Sequence, residues 1–256
     1  MASLNRVYMQ KKSRILIRTL EPAGLDAVEI SGTWGKPLGF RTYRSLFYPA
    51  HDICQGPLQE DGAAITCDIV LANQVWEHLD RPYAAIRHVR EMLRPGGYFW
   101  LAVPFFVPYH AAPVDCSRWS ARGLANLFIE AGFSEDNVVA DQWGNRAAGL
   151  RNLVGRWPPV LDRDHDDLSN DEHFPLCAWA LAKVPDTWFA EQCPDPVIAH
   201  VLQVMDENLH RATSNVEFAQ TAHMGLSTFL RRFRTVEGES CQRPCSGANA
   251  YSTRAC

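Results

Sequence analysis

Residues 67–106 read CDIVLANQVWEHLDRPYAAIRHVREMLRPGGYFWLAVPFF, and this stretch decides the fold. Asp68-Ile69-Val70-Leu71-Ala72 is a nearly continuous apolar run, the pattern of a strand buried on both faces of a parallel sheet. From about Pro82 to Leu93, Ile86, Val89 and Leu93 share one helical stripe with charged residues opposite. Pro95-Gly96-Gly97 stops that helix, and Tyr98 to Val103 gives a second strand. Strand, crossover helix and strand make a βαβ unit. Parallel sheets of such units bind ligands beyond the carboxyl ends of their strands, so Asn73-Gln74 and Pro104-Phe105-Phe106 fall on the functional edge.

ANQVWEHL followed by REMLRPGGYFWLAVPF resembles the fourth- and fifth-strand region of class I S-adenosylmethionine-dependent methyltransferases of the type 11 kind. The likeness runs from about Asp26 to Val184. It implies an α/β fold, a Rossmann-like doubly wound and mostly parallel sheet, with S-adenosylmethionine as cofactor and an unidentified small molecule as methyl acceptor.

Working back from this block, Asp26-Ala27-Val28-Glu29-Ile30 is an apolar strand that enters the small-residue turn Ser31-Gly32-Thr33-Trp34-Gly35. Glycine lets the backbone approach a ligand closely because it has no Cβ. In the methyltransferases this is the first motif, so the resemblance makes Glu29, Ser31, Gly32 and Gly35 cofactor-binding residues, with Asn73 and Gln74 on the neighbouring loop. Only seven residues separate Gly35 from the strand-like Tyr43–Tyr48, too few for a crossover helix. Either that helix is reduced to a turn or the strand order changes. Phe47 stands where the family commonly carries a ribose-binding acid. His51-Asp52-Ile53-Cys54 is similar to the family's adenine-contacting element, which assigns Asp52 to the amino group and Ile53 to the ring; a turn aspartate before Gly56-Pro57 is the alternative.

Beyond the fifth strand of the resemblance, residues 108–120 form a proline-punctuated loop rich in aromatic and ionisable side chains. Loops at this edge face the ligand, so Phe106, Tyr109, Arg118 and Trp119 are expected to line the acceptor pocket. A general base is needed only where the acceptor must lose a proton, and imidazole suits that task near neutral pH. His110 and Asp115 are the acceptor-side candidates, and His78 is catalytic or organises its loop. No metal is expected. The acidic run Leu161–Asp167 reads as a solvated loop.

The remaining elements follow from spacing. Asn5 to Leu20 reads as a helix covering the sheet, its basic residues solvated; a transit peptide is the other reading of Arg6, Lys11, Lys12, Arg14 and Arg18. Ser120 caps a helix with Leu124, Leu127, Phe128 and Ala131 inward, ended by Gly132. Val138–Ala140 and Cys177–Ala182 are the last strands, with a loop from Gln142 to Arg146.

After about residue 188 the character changes. A linker over 189–196 leads to three short helices within 197–240, with Asp195-Pro196 starting the first and Ser214–Glu217 a capping box for the second. VEFAQTAHMGLSTFLRRFRTVEGES resembles the first helix-turn-helix of AraC-type regulators, which implies DNA contacts through Thr228, Arg231 and Arg232. That family uses two such modules, and only one is present. Residues 241–256 lack helical period and are expected to be disordered. The domain expectation is therefore 1–188, a methyltransferase-like domain, followed by an all-α appendage. A regulator that senses a ligand through this domain is the alternative function.

Bulk properties agree. At 256 residues and 46% hydrophobic, the chain can bury one full α/β core and a small addition. A net charge of -4 argues against a chain built to coat nucleic acid or an anionic membrane. No apolar run approaches the ~20 residues of a membrane span, and no signal-peptide core is present. The eight cysteines form no C-x-x-C pair, which points to reduced thiols and a cytoplasmic protein.

Overall fold

A computed structural model describes residues 3–60, 62–111, 113–185, 195–207 and 214–237. By its contacts the chain divides into two compact units, residues 1–129 with 133–184, and residues 185–256 with 130–132. The expected disordered tail at 241–256 and most of the expected linker lie outside the described residues.

The larger unit is built on a six-stranded sheet: β1 (Asp26–Ile30), β2 (Thr42–Leu46), β5 (Cys67–Asn73), β6 (Leu93–Pro104), β7 (Val138–Trp143) and β8 (Cys177–Lys183). The strand order is β2-β1-β5-β6-β8-β7. The pairs β1/β2, β1/β5 and β5/β6 are parallel, whereas β8 runs antiparallel to both neighbours. Two residues each of β3 (Gln59–Glu60) and β4 (Ala63–Ala64) make a separate small hairpin. This is the Rossmann-like, mostly parallel arrangement expected. The short crossover from β1 to β2 is a single turn at Lys36–Leu38, and the two strands pair as parallel neighbours regardless.

Helices close both faces. On one side α1 (Leu4–Arg18) packs on β7 and β8, with Tyr8 stacked on Trp143 at 5.7 Å. A buried amide pair, Asn5 Nδ2 to Asn152 Oδ1 at 2.7 Å, ties α1 to α4 (Arg146–Leu153). On the other side α2 (Pro82–Met92) and α3 (Ala121–Glu130) cover Phe99, whose ring meets Trp76 and Phe128, each at 5.2 Å. Alternation along β6 therefore sends Phe99 to one layer and Trp100 to the other, and both are fully buried.

Two boundaries differ from the expectation. Pro95-Gly96-Gly97 lies inside β6 and is not a turn before it, because Leu93 already pairs with Cys67 while Tyr98 pairs with Ile69. The extra residues bulge, which accommodates a proline without a lost ladder bond. Gly97 is required there, since a Cβ would lie 2.7 Å from the Arg94 carbonyl. β7 also continues through Gln142 and Trp143, where a loop is expected; Trp143 pairs with Cys177 and is buried.

At the amino edge of the sheet, Asp26 and Asp68 share Arg41 and Arg94, with Arg94 Nη1 3.0 Å from Asp26 and 2.8 Å from Asp68. This ion cluster fixes the end opposite the functional edge.

The smaller unit contains α5 (Pro196–Glu207), α6 (Asn215–Thr221) and α7 (Leu226–Glu237) around Ile198, Val201, Phe218, Phe229 and Phe233. The capping box forms as expected: Ser214 Oγ accepts from Glu217 N, and the Glu217 carboxylate accepts from Ser214 N at 2.7 Å. No helix of the described residues is long and apolar enough to cross a membrane.

Candidate functional site

The strand order reverses between β1 and β5, so the loops leaving these two strands flank the crevice where open α/β sheets bind ligands. Ser31 and Gln74 begin those loops with φ of 49° and 59°. A side chain in the left-handed region is costly, and such strain is held where a site requires it. Ser31 N donates to Leu46 O, and Gln74 N to Ala102 O, each at 2.8 Å, so the neighbouring strands impose both turns.

Glu29 does not point out toward a ligand. It is fully buried, and its carboxylate accepts from Trp34 N at 2.8 Å, Gly35 N at 2.7 Å and Tyr43 Oη at 2.6 Å. It holds the turn from beneath and shapes the backbone that would meet a cofactor. Burial and the Glu29 carboxylate raise the Tyr43 pKa, which keeps the phenol a donor. A Cβ on Gly32 would sit 2.3 Å from Glu29 Oε1, and one on Gly35 would sit 2.3 Å from Leu71 Cδ1. Both positions need glycine because the turn lies directly on its own support.

Asp52 is half-buried, and its carboxylate accepts from Cys54 N at 2.9 Å and from Gln55 Nε2 at 3.3 Å, the geometry of the turn aspartate. Ile53 is buried, with its carbonyl 2.7 Å from His88 Nδ1. At the end of β5 two buried polar atoms, Asn73 Oδ1 and Gln74 Nε2, lack hydrogen-bond partners. Orphaned buried polar atoms beside a crevice suit a polar ligand that would satisfy them. Phe47 is exposed beyond β2, with no acid in its place.

The acceptor-side residues converge more closely. His110 N donates to Asp115 Oδ2 at 2.8 Å, and Arg118 Nη2 donates to the same carboxylate at 2.6 Å. The Arg118 guanidinium brings the Asp115 pKa down to about 2. Asp115 is thus committed to ordering its loop, while burial lowers the His110 pKa. The His110 ring lies 5.2 Å from the His78 ring and 4.9 Å from Trp157. Cys116 N donates to the Glu77 carbonyl at 2.7 Å, clamping this loop to the turn after β5. Trp119 is buried, whereas Phe106 packs its exposed ring 5.3 Å from Phe174 and Tyr109 is exposed.

The sequence does not single out Glu77. Its side chain is wholly buried, both carboxylate oxygens lack hydrogen-bond partners, and burial pushes its pKa up to about 7. Arg6, on α1, acts on it electrostatically without donating a hydrogen bond to it. Arg6, Gln74, His110, Trp157 and Cys177 line a cavity of about 10 Å³, space for a water at most.

In the smaller unit, Thr228 and Arg231 are exposed on α7, but Arg232 Nη2 donates to Asp195 Oδ1 at 2.8 Å. Arg232 is thereby held at the N-terminus of α5 and is not a free DNA contact.

No curated protein matches the chain. Among solved structures it is similar to a Thermotoga maritima S-adenosylmethionine-dependent methyltransferase, a possible histamine N-methyltransferase, at 15% identity and TM-score 0.44, covering 68% of this chain and 88% of that one. It is also similar to the Burkholderia thailandensis 1,6-didemethyltoxoflavin-N1-methyltransferase with bound 1,6-didemethyltoxoflavin and S-adenosylhomocysteine, at 13% identity and TM-score 0.45, covering 69% and 78%. A Mesorhizobium loti S-adenosylmethionine-dependent methyltransferase shares 13% identity and TM-score 0.41, over 66% and 96%. Residues 24–137, from just before β1 to just before β7, match a family model described as a methyltransferase domain.

Proposed function

We propose that the chain is an S-adenosylmethionine-dependent methyltransferase acting on a small-molecule acceptor. The observation that carries this reading is the pair of left-handed residues, Ser31 and Gln74, flanking the strand-order reversal inside the methyltransferase domain. The backbone from Ser31 to Gly35, together with Asn73 and Gln74, would hold the cofactor, with Asp52 and Ile53 at the adenine end. Bound there, S-adenosylmethionine supplies an electrophilic methyl group on a sulfonium.

Such a displacement needs alignment in a water-poor pocket more than proton transfer. Glu29 contributes by fixing the turn, and α1 contributes by placing Arg6 over the edge. Asp115 and Arg118 order the loop that carries His110. Where the acceptor must lose a proton, His110 and His78 are the groups placed to receive it. Trp119 braces this loop, and Phe106 and Tyr109 are offered to an entering acceptor.

The DNA-binding alternative draws no support from α7, whose Arg232 is paired with Asp195. The test is a screen of small amines, phenols and carboxylic acids with methyl-labelled S-adenosylmethionine. Label should appear in an acceptor and be lost in Gly32→Ala. S-adenosylmethionine binding without transfer to any acceptor would refute the enzyme reading.

A further inference from the structure

Three side chains at the acceptor edge offer only lone pairs to one another. One ring nitrogen from each of His78 and His110 and one carboxylate oxygen of Glu77 lie within 4.8 Å of each other. His78 Nδ1 donates to the Val114 carbonyl, which leaves Nε2 as the basic nitrogen, 3.7 Å from Glu77 Oε1. His110 Nδ1 is 3.3 Å from the Pro108 carbonyl and 3.5 Å from Asp115 Oδ2, so its Nε2 is likewise left without a proton. Glu77 is fully buried, and neither of its oxygens has a hydrogen-bond partner. With Glu77 ionised, three lone-pair groups face one point with no donor among them, an arrangement that a bound cation would satisfy.

We infer that Glu77, His78 and His110 form a binding site for a first-row divalent metal ion of the zinc type, with a further coordination position open toward the cavity lined by Gln74 and Arg6. Two imidazoles and one carboxylate are a ligand set of catalytic zinc sites, and the same set also suits iron(II). The outer contacts have the required form, because metal-binding histidines hold their second nitrogen on a carbonyl or carboxylate. Here Val114 and Pro108 supply the carbonyls and Asp115 the carboxylate. Bonds of 2.0–2.1 Å at tetrahedral angles place ligand atoms roughly 3.3 Å apart, so the site must contract by about 1.5 Å at its widest. His110 stands on a loop, where such an adjustment is easy. The charged groups facing Glu77 are Arg6, Arg118 and Asp115. Arg6 is the competing counter-charge, yet it does not reach the carboxylate with a hydrogen bond.

The metal site does not require the methyl-transfer reading, although a bound ion would occupy the imidazole nitrogens that could otherwise receive a proton, and its test uses metal alone. The untagged full chain, stripped with chelator, is titrated with Co²⁺ and followed by visible absorption and calorimetry, then competed with Zn²⁺; Mg²⁺ serves as the hard-cation control. The expected result is one equivalent of Co²⁺ with nitrogen and oxygen ligation, displaced by Zn²⁺ and not by Mg²⁺. Both Glu77→Gln and His110→Asn should weaken it on the order of a hundredfold. Circular dichroism checks that each variant is folded, and the wild-type titration stands by itself if one is not. Failure of the wild type to bind, a thiolate charge-transfer band showing cysteine ligation, or unchanged affinity in folded variants would overturn the proposal.

Discussion

Removing the Tyr43 hydroxyl tests whether Glu29 is the support on which the cofactor turn is built. The phenol donates to a fully buried carboxylate at 2.6 Å, and hydrogen bonds to charged groups contribute about 1.5–3 kcal/mol. Tyr43 is half-buried, so water replaces part of the loss and Tyr43→Phe should fall in the lower half of that range. For a unit of this size, 1 kcal/mol corresponds to about 2–4 °C in Tm, giving a drop of roughly 3–9 °C. Glu29→Gln should cost more, about 2–4 kcal/mol, because an amide turns a donor toward one of the three donors that the carboxylate now accepts. Trp34 stacks on Trp100 at 4.1 Å, so tryptophan fluorescence during urea unfolding reports on this turn directly. The ordering of the two variants is the diagnostic. If Tyr43→Phe changed stability by less than about 0.5 kcal/mol and Glu29→Gln cost no more, the turn would not rest on Glu29.

Gly32→Ala places a Cβ 2.3 Å from Glu29 Oε1 and should destabilise by about 1–3 kcal/mol in thermal melts, whereas Gly24→Ala, with open space around it, should stay within about 0.5 kcal/mol. Asp26, held by Arg41, Thr42 and Arg94, has its pKa lowered in the folded state. Its contribution to stability is therefore present above the ordinary carboxylate range and lost as pH falls toward the folded value; Asp26→Asn should flatten the acid limb of the stability profile below about pH 4. Burial pushes the Cys67 and Cys177 thiols up to about 12, and Cys116 is the exposed cysteine among the described residues. Brief alkylation of the native chain near pH 8 should modify Cys116 and spare Cys54, Cys67 and Cys177, as read by peptide mass spectrometry.

Much of the larger unit is legible because its signals are local. A continuous apolar run marks β5, a 3.6-residue stripe marks α2, and seven residues between Gly35 and Tyr43 leave room for only a turn. The misplaced start of β6 has a physical cause: proline and paired glycines mark turns and bulges alike, and only the pairing of Leu93 with Cys67 separates them. The site was less legible. Acidic residues at strand ends suggest ligands, but whether Glu29 turns inward depends on where Tyr43 and the Gly35 amide lie. Glu77 carries no sequence signal beyond standing next to His78. Its isolation arises from burial beneath loops distant in sequence, with His110 arriving from beyond β6.

The most direct measurement is calorimetric titration of the full chain with S-adenosylmethionine and S-adenosylhomocysteine, beside Gly32→Ala. Both ligands should bind the wild type with micromolar affinity, and binding should be lost in the variant that still folds. Absence of binding in the folded wild type, or equal binding in Gly32→Ala, would contradict the assignment of the β1 and β5 loops as the cofactor site.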